Sequence, residues 1–195
     1  VTSELLHRAL TDDPALRPLP TRARRLLEEL QAPPRLAAHL RAVHDVACQL
    51  ADWLQRHCPG LELDREAVAF GAAVHDIGKV LYPSELSGPG SAHEEAGYEL
   101  LLAHGVESEL ARFARTHAAW TADDVGTEDL VVSLADKVWK GKRVAELENL
   151  VTASLATAGG QQPWEVFLAL DDILDRIAAD ADSRLAFQAG YPVAV

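Results

Sequence analysis

His75 and Asp76 stand side by side at the end of the run Ala67-Val68-Ala69-Phe70-Gly71-Ala72-Ala73-Val74, and Ile77-Gly78-Lys79 follows at once. An apolar run of this kind is a buried helix. An imidazole and a carboxylate at its end would cost several kcal/mol, as an order of magnitude, unless something compensates them. A metal ion compensates both together. His39, His93, His117 and Asp136 add four more candidate ligands elsewhere in the chain. The chemistry that such a set supports is metal-dependent hydrolysis.

A second pattern lies in the basic residues. Of the 18, 14 are Arg and only four are Lys: Lys79, Lys137, Lys140 and Lys142. One follows the His-Asp pair and three follow Asp136. A compact ammonium suits a phosphate oxygen as a point charge. Lys140 and Arg143 fall four and seven residues after Asp136, on its side of a helix, which points to phosphate binding. The competing reading is that Lys137 to Arg143 complement a helix C-terminus.

These residues need a helical frame, and the chain supplies little else. Thr21 is placed to cap a helix to Leu30 that Pro33-Pro34 ends. A long helix spans about 34–56, with Leu36, Leu40, Val43, Ala47, Leu50 and Leu54 on one stripe. Asp64 caps the helix that ends at His75-Asp76. Residues 82–90 form a loop beside the site. Ser91 with Glu94 reads as a capping box that puts His93 in the first turn of the next helix. Gly105 ends that helix, another runs from about Glu107 to His117, and Thr127 caps the one carrying Asp136. Gly159-Gly160 breaks the tail, and Pro163 opens a last helix to about Ala181. No segment alternates with the period of a strand. The expectation is an all-α fold in three parts: a helical lead-in at 1–33, with turn-forming residues at Asp12-Asp13-Pro14, a metal-binding core at 34–143, and a C-terminal helical extension at 144–195.

Bulk properties exclude some classes. With 195 residues, 48% apolar and 25% charged, the chain can bury a real core. No apolar run reaches the length of a membrane span, and no leader is visible. Cys48 and Cys58 fit neither a zinc nor a redox spacing, which makes a reducing cytoplasm the expected location. The net charge of −12 argues against nonspecific nucleic-acid or anionic-membrane binding. Each histidine also has a plainer reading. His93 and His117 taken singly resemble surface and half-buried side chains, and His7, His57 and His104 read as surface. His39 and His44 are about 140° apart on one helix, so only one can face the site, and His39 has the more apolar neighbours.

The stretches His39-Leu40-Arg41-Ala42-Val43-His44-Asp45-Val46-Ala47, Val74-His75-Asp76-Ile77-Gly78-Lys79 and Leu134-Ala135-Asp136-Lys137 together resemble the HD-domain metal-dependent phosphohydrolase superfamily over about 34–143. The resemblance implies a helical core in which His39, His75, Asp76 and Asp136 bind one metal. It also implies a second ion held by His93 and His117, with Asp76 bridging. The departure is Ala118, where members often carry His or Glu after the second histidine. One or two divalent transition-metal ions are expected, and nitrogen and oxygen ligands leave Fe, Mn, Zn, Co and Ni open.

The activity this implies is hydrolysis of a phosphoester or phosphoanhydride, with a nucleotide as the small phosphorylated substrate and a metal-activated water as nucleophile. Asp76 would hold the metals, while Lys79, Lys140 and Arg143 neutralise phosphate charge. Trp120 and Trp139 are placed either to stack on a base or to fill the core. The loop 83–90 is placed to cover the substrate, and a homodimer is compatible with the chain. Two rivals are a di-iron oxygenase, marked by dependence on iron and oxygen, and a non-catalytic nucleotide sensor, marked by binding without turnover. A third rests on Asp171-Asp172-Ile173-Leu174-Asp175, which fits the aspartate-rich motif of isoprenoid synthases. With Glu165, Asp180 and Asp182 nearby, it reads better as the solvated face of a helix.

Overall fold

A computed structural model describes residues 2–12 and 16–193, with helices throughout and no strand among them. Asp13 and Pro14 of the expected N-terminal turn lie outside the described residues. The organising element is α3 (Pro34–His57), which packs against α4 (Arg65–Val74), α8 (Thr127–Val138), α1 (Thr2–Thr11) and α11 (Ala181–Ala189). Its sequence predicts one apolar stripe, but every residue from Leu36 to Ala47 is buried. Ala37, Ala38, Ala42 and Ala47 explain this, since small side chains let neighbours approach on several sides. Polar residues on the far side are also enclosed. The Arg41 guanidinium donates to the carbonyls of Leu16 (2.9 Å) and Arg17 (3.3 Å), fastening the N-terminal segment to α3. His44, which the sequence turns away from the site, is buried beside Cys48, its Nε2 3.4 Å from the thiol sulfur.

α2 (Thr21–Glu29) begins after Pro20 without a side-chain cap, so Thr21 is its first turn rather than its cap. Asp64 does cap α4, accepting from the Ala67 amide at 2.9 Å. After α4 come two 3-10 turns, Ile77–Val80 and Pro83–Leu86, and then α5 (Ala92–Ala103). Ser91 makes no capping bond. The Glu85 carboxylate takes that place, accepting from the amides of Ala92 and His93 at 3.2 Å each. Gly105, at φ 74°, closes α5 with a left-handed turn in which the Val106 amide reaches back to the Leu101 carbonyl.

The segment expected as one helix to His117 is two single turns, α6 (Ser108–Ala111) and α7 (Phe113–Thr116), which meet at Arg112. Asp129, fully buried, fixes this joint to α8: it accepts from Thr116 Oγ1 (2.7 Å), from Arg112 Nε (3.1 and 3.2 Å) and from the Gly126 amide (3.2 Å). The cap of α8 therefore comes from Asp129 and Gly126 rather than Thr127. α9 (Ala145–Gly159) ends at Gly160 in the left-handed region, at φ 61°, and Pro163 opens α10 (Pro163–Ala179) at its first turn. α10 ends close to the expected Ala181, at Ala179, but it is not the last helix, since α11 follows. The chain bends at Asp180, and buried Arg184 on α11 donates to the carbonyls of Trp139 (2.7 Å) and Ile177 across the bend. α9 and α10 pack against each other and against α8, and among the described residues no helix is long and apolar enough to cross a membrane.

Candidate metal centre

Six side chains, from five α-helices and one 3-10 turn or their ends, meet at one place. His39 comes from the second turn of α3, His75 caps the C-terminus of α4, and Asp76 leads into the first 3-10 turn. His93 lies in the first turn of α5, His117 follows α7, and Asp136 lies near the end of α8. All six are buried. They form two trios whose donor atoms lie within 4.8 Å of one another: His39, His75 and Asp136, and Asp76, His93 and His117.

Asp76 faces both trios. Its Oδ1 lies 3.0 Å from His93 Nε2 and 3.4 Å from His117 Nε2. Its Oδ2 lies 3.2 Å from His39 Nε2 and 3.7 Å from His75 Nε2. Asp136 Oδ1 closes the first trio, 3.5 Å from His75 Nε2 and 3.8 Å from His39 Nε2. Burial alone would raise the pKa of both carboxyls, but the imidazoles around Asp76, and His75 with Lys137 around Asp136, outweigh it. Both acids stay charged, well below the usual carboxylate range. Burial pushes the His39 imidazole the other way, toward its neutral form.

The residues fit divalent cations, on the evidence of where the hydrogens must lie. His75 Nδ1 faces the Ala72 carbonyl at 2.9 Å, and His117 Nδ1 faces those of Ala114 and Phe113 at 3.0 and 3.2 Å. Carbonyls only accept, so these Nδ1 atoms carry the hydrogen, and the neutral form of each ring has its lone pair inward at Nε2. Nε2 of His39, His75 and His93 is buried and makes no hydrogen bond, although carboxylate oxygens lie close to all three. Lone pairs of nitrogen and oxygen converging in a buried space repel each other unless a cation lies between them. Backbone carbonyls that orient ligand histidines are the expected outer layer of such a site.

Two lysines touch the rim. Lys79 Nζ lies 2.6 Å from Asp76 Oδ2 and Lys137 Nζ 2.6 Å from Asp136 Oδ2, one ammonium on each acidic ligand. Of the predicted phosphate-binding residues, Lys79 is therefore at the site. Lys140 is exposed, its ammonium 6.0 Å from the Trp139 ring centre. Arg143 does not join them, contrary to its predicted role. Its guanidinium pairs with Glu148 at 2.9 Å, Asp171 at 2.6 Å and Asp175 at 2.5 Å, holding α9 to α10. Helical spacing from Asp136 misled there, because the chain leaves α8 at Val138 and Gly141 turns it at φ 74°. The same pairing disposes of the aspartate-rich motif, whose Asp171 and Asp175 neutralise an arginine.

Sequence reasoning passed over Glu85, and it placed Lys137 in the basic cluster after Asp136 without naming it among the site residues. Glu85 gave no signal, since Ser91 accounted for the cap it supplies. Trp139 is buried and meets His39 in a T-shaped ring contact, centres 4.9 Å apart, so it belongs to the wall of the site. Trp120 is partly buried, with Lys137 Nζ 5.5 Å from its ring centre.

A helical domain whose two His/Asp trios meet at one aspartate has the residues to hold metal ions. The family model of the HD domain matches residues 36–139, and the chain belongs to that family. The match contains all six residues and is consistent with the metal-dependent phosphohydrolase superfamily. No curated protein and no solved structure matches the chain.

Proposed function

We propose that this protein is a metal-dependent phosphohydrolase that cleaves a phosphoester or phosphoanhydride, with a nucleotide as its substrate class. The observation that carries the reading is Asp76, whose two oxygens face two separate sets of histidine nitrogens. Divalent ions held there would supply an acidified water nucleophile and positive charge for the phosphoryl oxygens. His39, His75 and Asp136 would hold one, His93 and His117 the other, and Asp76 both.

The chain's own groups divide the remaining work. Lys79 and Lys137 sit at the rim with side chains 18% and 15% exposed, close enough to solvent to meet an entering phosphate. Each rests on a carboxylate that bound metal would neutralise, which frees its ammonium to pair with substrate oxygens as charge redistributes. Trp139 closes the His39 side against water, which strengthens every charge interaction inside. Exposed Lys140 extends the positive rim outward, where a longer polyphosphate would lie.

The test is phosphate release from a panel of nucleotides and phosphomonoesters with Mn, Fe, Co, Ni or Zn supplied singly. Activity is expected with at least one metal, with Asp76→Ala losing both metal content and turnover. Full activity in Asp76→Ala ends the hypothesis. Turnover that demands iron and oxygen supports the oxygenase instead, and tight nucleotide binding without turnover under every metal supports the sensor.

A further inference from the structure

Glu85 stands outside both trios, yet it touches one of them. Its Oε2 lies 2.5 Å from His93 Nδ1 and accepts from the His93 amide at 3.2 Å, while Oε1 accepts from the Ala92 amide at 3.2 Å. The side chain is 10% exposed, although it rises from a short 3-10 turn in the segment leading to α5. His75 and His117 are oriented by carbonyls of their own helices, whereas His93, in the first turn of α5, has no preceding helical carbonyl to use. A carboxylate from eight residues earlier fills that role.

We propose that Glu85 is the positioning residue for the Asp76/His93/His117 half of the site, an inference that rests on the two-ion reading above. By accepting the hydrogen on Nδ1 it fixes the tautomer that aims the Nε2 lone pair at Asp76 Oδ1, and its charge makes that nitrogen a stronger donor to a metal. Its bonds to two amides of α5 hold the carboxylate in place, so the loop and the ligand are set as one unit. Gly90 is part of the arrangement, because a Cβ there would run into the Glu85 carboxylate. The His39/His75/Asp136 trio has no contact with Glu85 among its hydrogen bonds and ion pairs, so the effect is confined to one ion.

The experiment is Co2+ titration of the full chain, followed by visible absorption and by elemental analysis after dialysis, in the wild type, Glu85→Ala, Glu85→Gln and His117→Ala. Two equivalents are expected in the wild type. Glu85→Ala should weaken by about 10–100-fold the equivalent that His117→Ala also removes, and leave the other unchanged. Glu85→Gln, which keeps an acceptor oxygen but not the charge, should fall between. Equal affinity for both ions in Glu85→Ala and the wild type overturns the proposal, as does equal weakening of both. Should Glu85→Ala not fold, a wild-type titration in Glu85→Gln overturns it. A wild-type chain that takes up no Co2+ overturns the metal reading itself, and the positioning role with it.

Discussion

Gly78→Ala places one methyl group where the Ile77–Val80 turn and α5 meet backbone to backbone. The added Cβ would collide with the His93 carbonyl oxygen and stand 2.7 Å from the Gly97 amide nitrogen and 2.8 Å from the His93 carbonyl carbon. Ordinary contact begins at 3.4 Å, so at the Gly97 nitrogen alone, 3.4 against 2.7 Å, α5 must retreat 0.7 Å. The collision with the carbonyl oxygen demands more. All these obstacles are backbone, and none can swing aside. Overpacking of this kind costs about 1–3 kcal/mol, which for a chain of this size lowers the melting temperature by about 2–12 °C. His93 moves with α5, and its Nε2 is only 3.0 Å from Asp76. Displacement of a reacting group by about 1 Å is worth about 100-fold in rate. Thermal melts, Co2+ uptake and turnover of the best substrate measure the three effects. Gly97→Ala, whose Cβ would meet Gly78 N at 3.1 Å and Ala114 Cβ at 3.3 Å, should be milder, and Gly60→Ala, with nothing within 4 Å, neutral. A Gly78→Ala protein that melts with the wild type and binds two ions as tightly would refute the claim that backbone contact sets His93.

Other perturbations separate the rim from the scaffold. Lys79→Ala and Lys137→Ala should each lower kcat/KM for a phosphorylated substrate by about 10–100-fold at unchanged metal content; unaltered kinetics would remove these lysines from the substrate site. Arg143→Ala should leave KM unchanged but destabilise the protein by about 1.5–3 kcal/mol, measured by denaturant unfolding, because Glu148 loses its charged partner. His44 supplies a pH test. Burial lowers its pKa from 6.5 to about 4, so below pH 6.5 the unfolded chain binds a proton that the folded chain refuses. Stability is therefore lost as pH falls from 6.5 toward 4, by up to about 3 kcal/mol. His44→Gln should flatten that slope relative to the wild type in unfolding curves at pH 5 and 7.5, and an identical slope would exclude His44 as its source.

The sequence was most readable where one residue's cost could be judged locally. His75 and Asp76 ending an apolar helix, and Asp136 after Leu130 to Ala135, announce buried polar groups that need a partner. His39 could be chosen over His44 by helix geometry, although the burial of His44 itself was not visible, because it depends on α1 and the segment after it packing over α3. Helix starts were less readable. Ser91 and Thr127 have the right residue types, but Glu85 takes the place of Ser91 from seven and eight residues upstream, which cap spacing does not encode, and Asp129 takes that of Thr127 by a local bond to the Gly126 amide three residues before it. Arg143 shows the same limit from the other side: its partners on α9 and α10 are 5 to 32 residues ahead in the chain. Helical periodicity describes a face only while the helix continues, and α8 stops before Arg143.

The origin of the site in six separate elements has a consequence for the unfolded chain. His39 and Asp136 are almost a hundred positions apart in sequence, yet Nε2 and Oδ1 lie 3.8 Å apart in the fold. An ion gripping both is topologically a cross-link, and closing a loop of that length removes chain entropy worth about 4–5 kcal/mol from the denatured ensemble. Cys48 and Cys58 are both free thiols, so no disulfide does this work. The atoms that would activate water are then the same atoms that tie distant parts of the chain together, and stripping the ions would release that loop as well as remove the proposed chemistry.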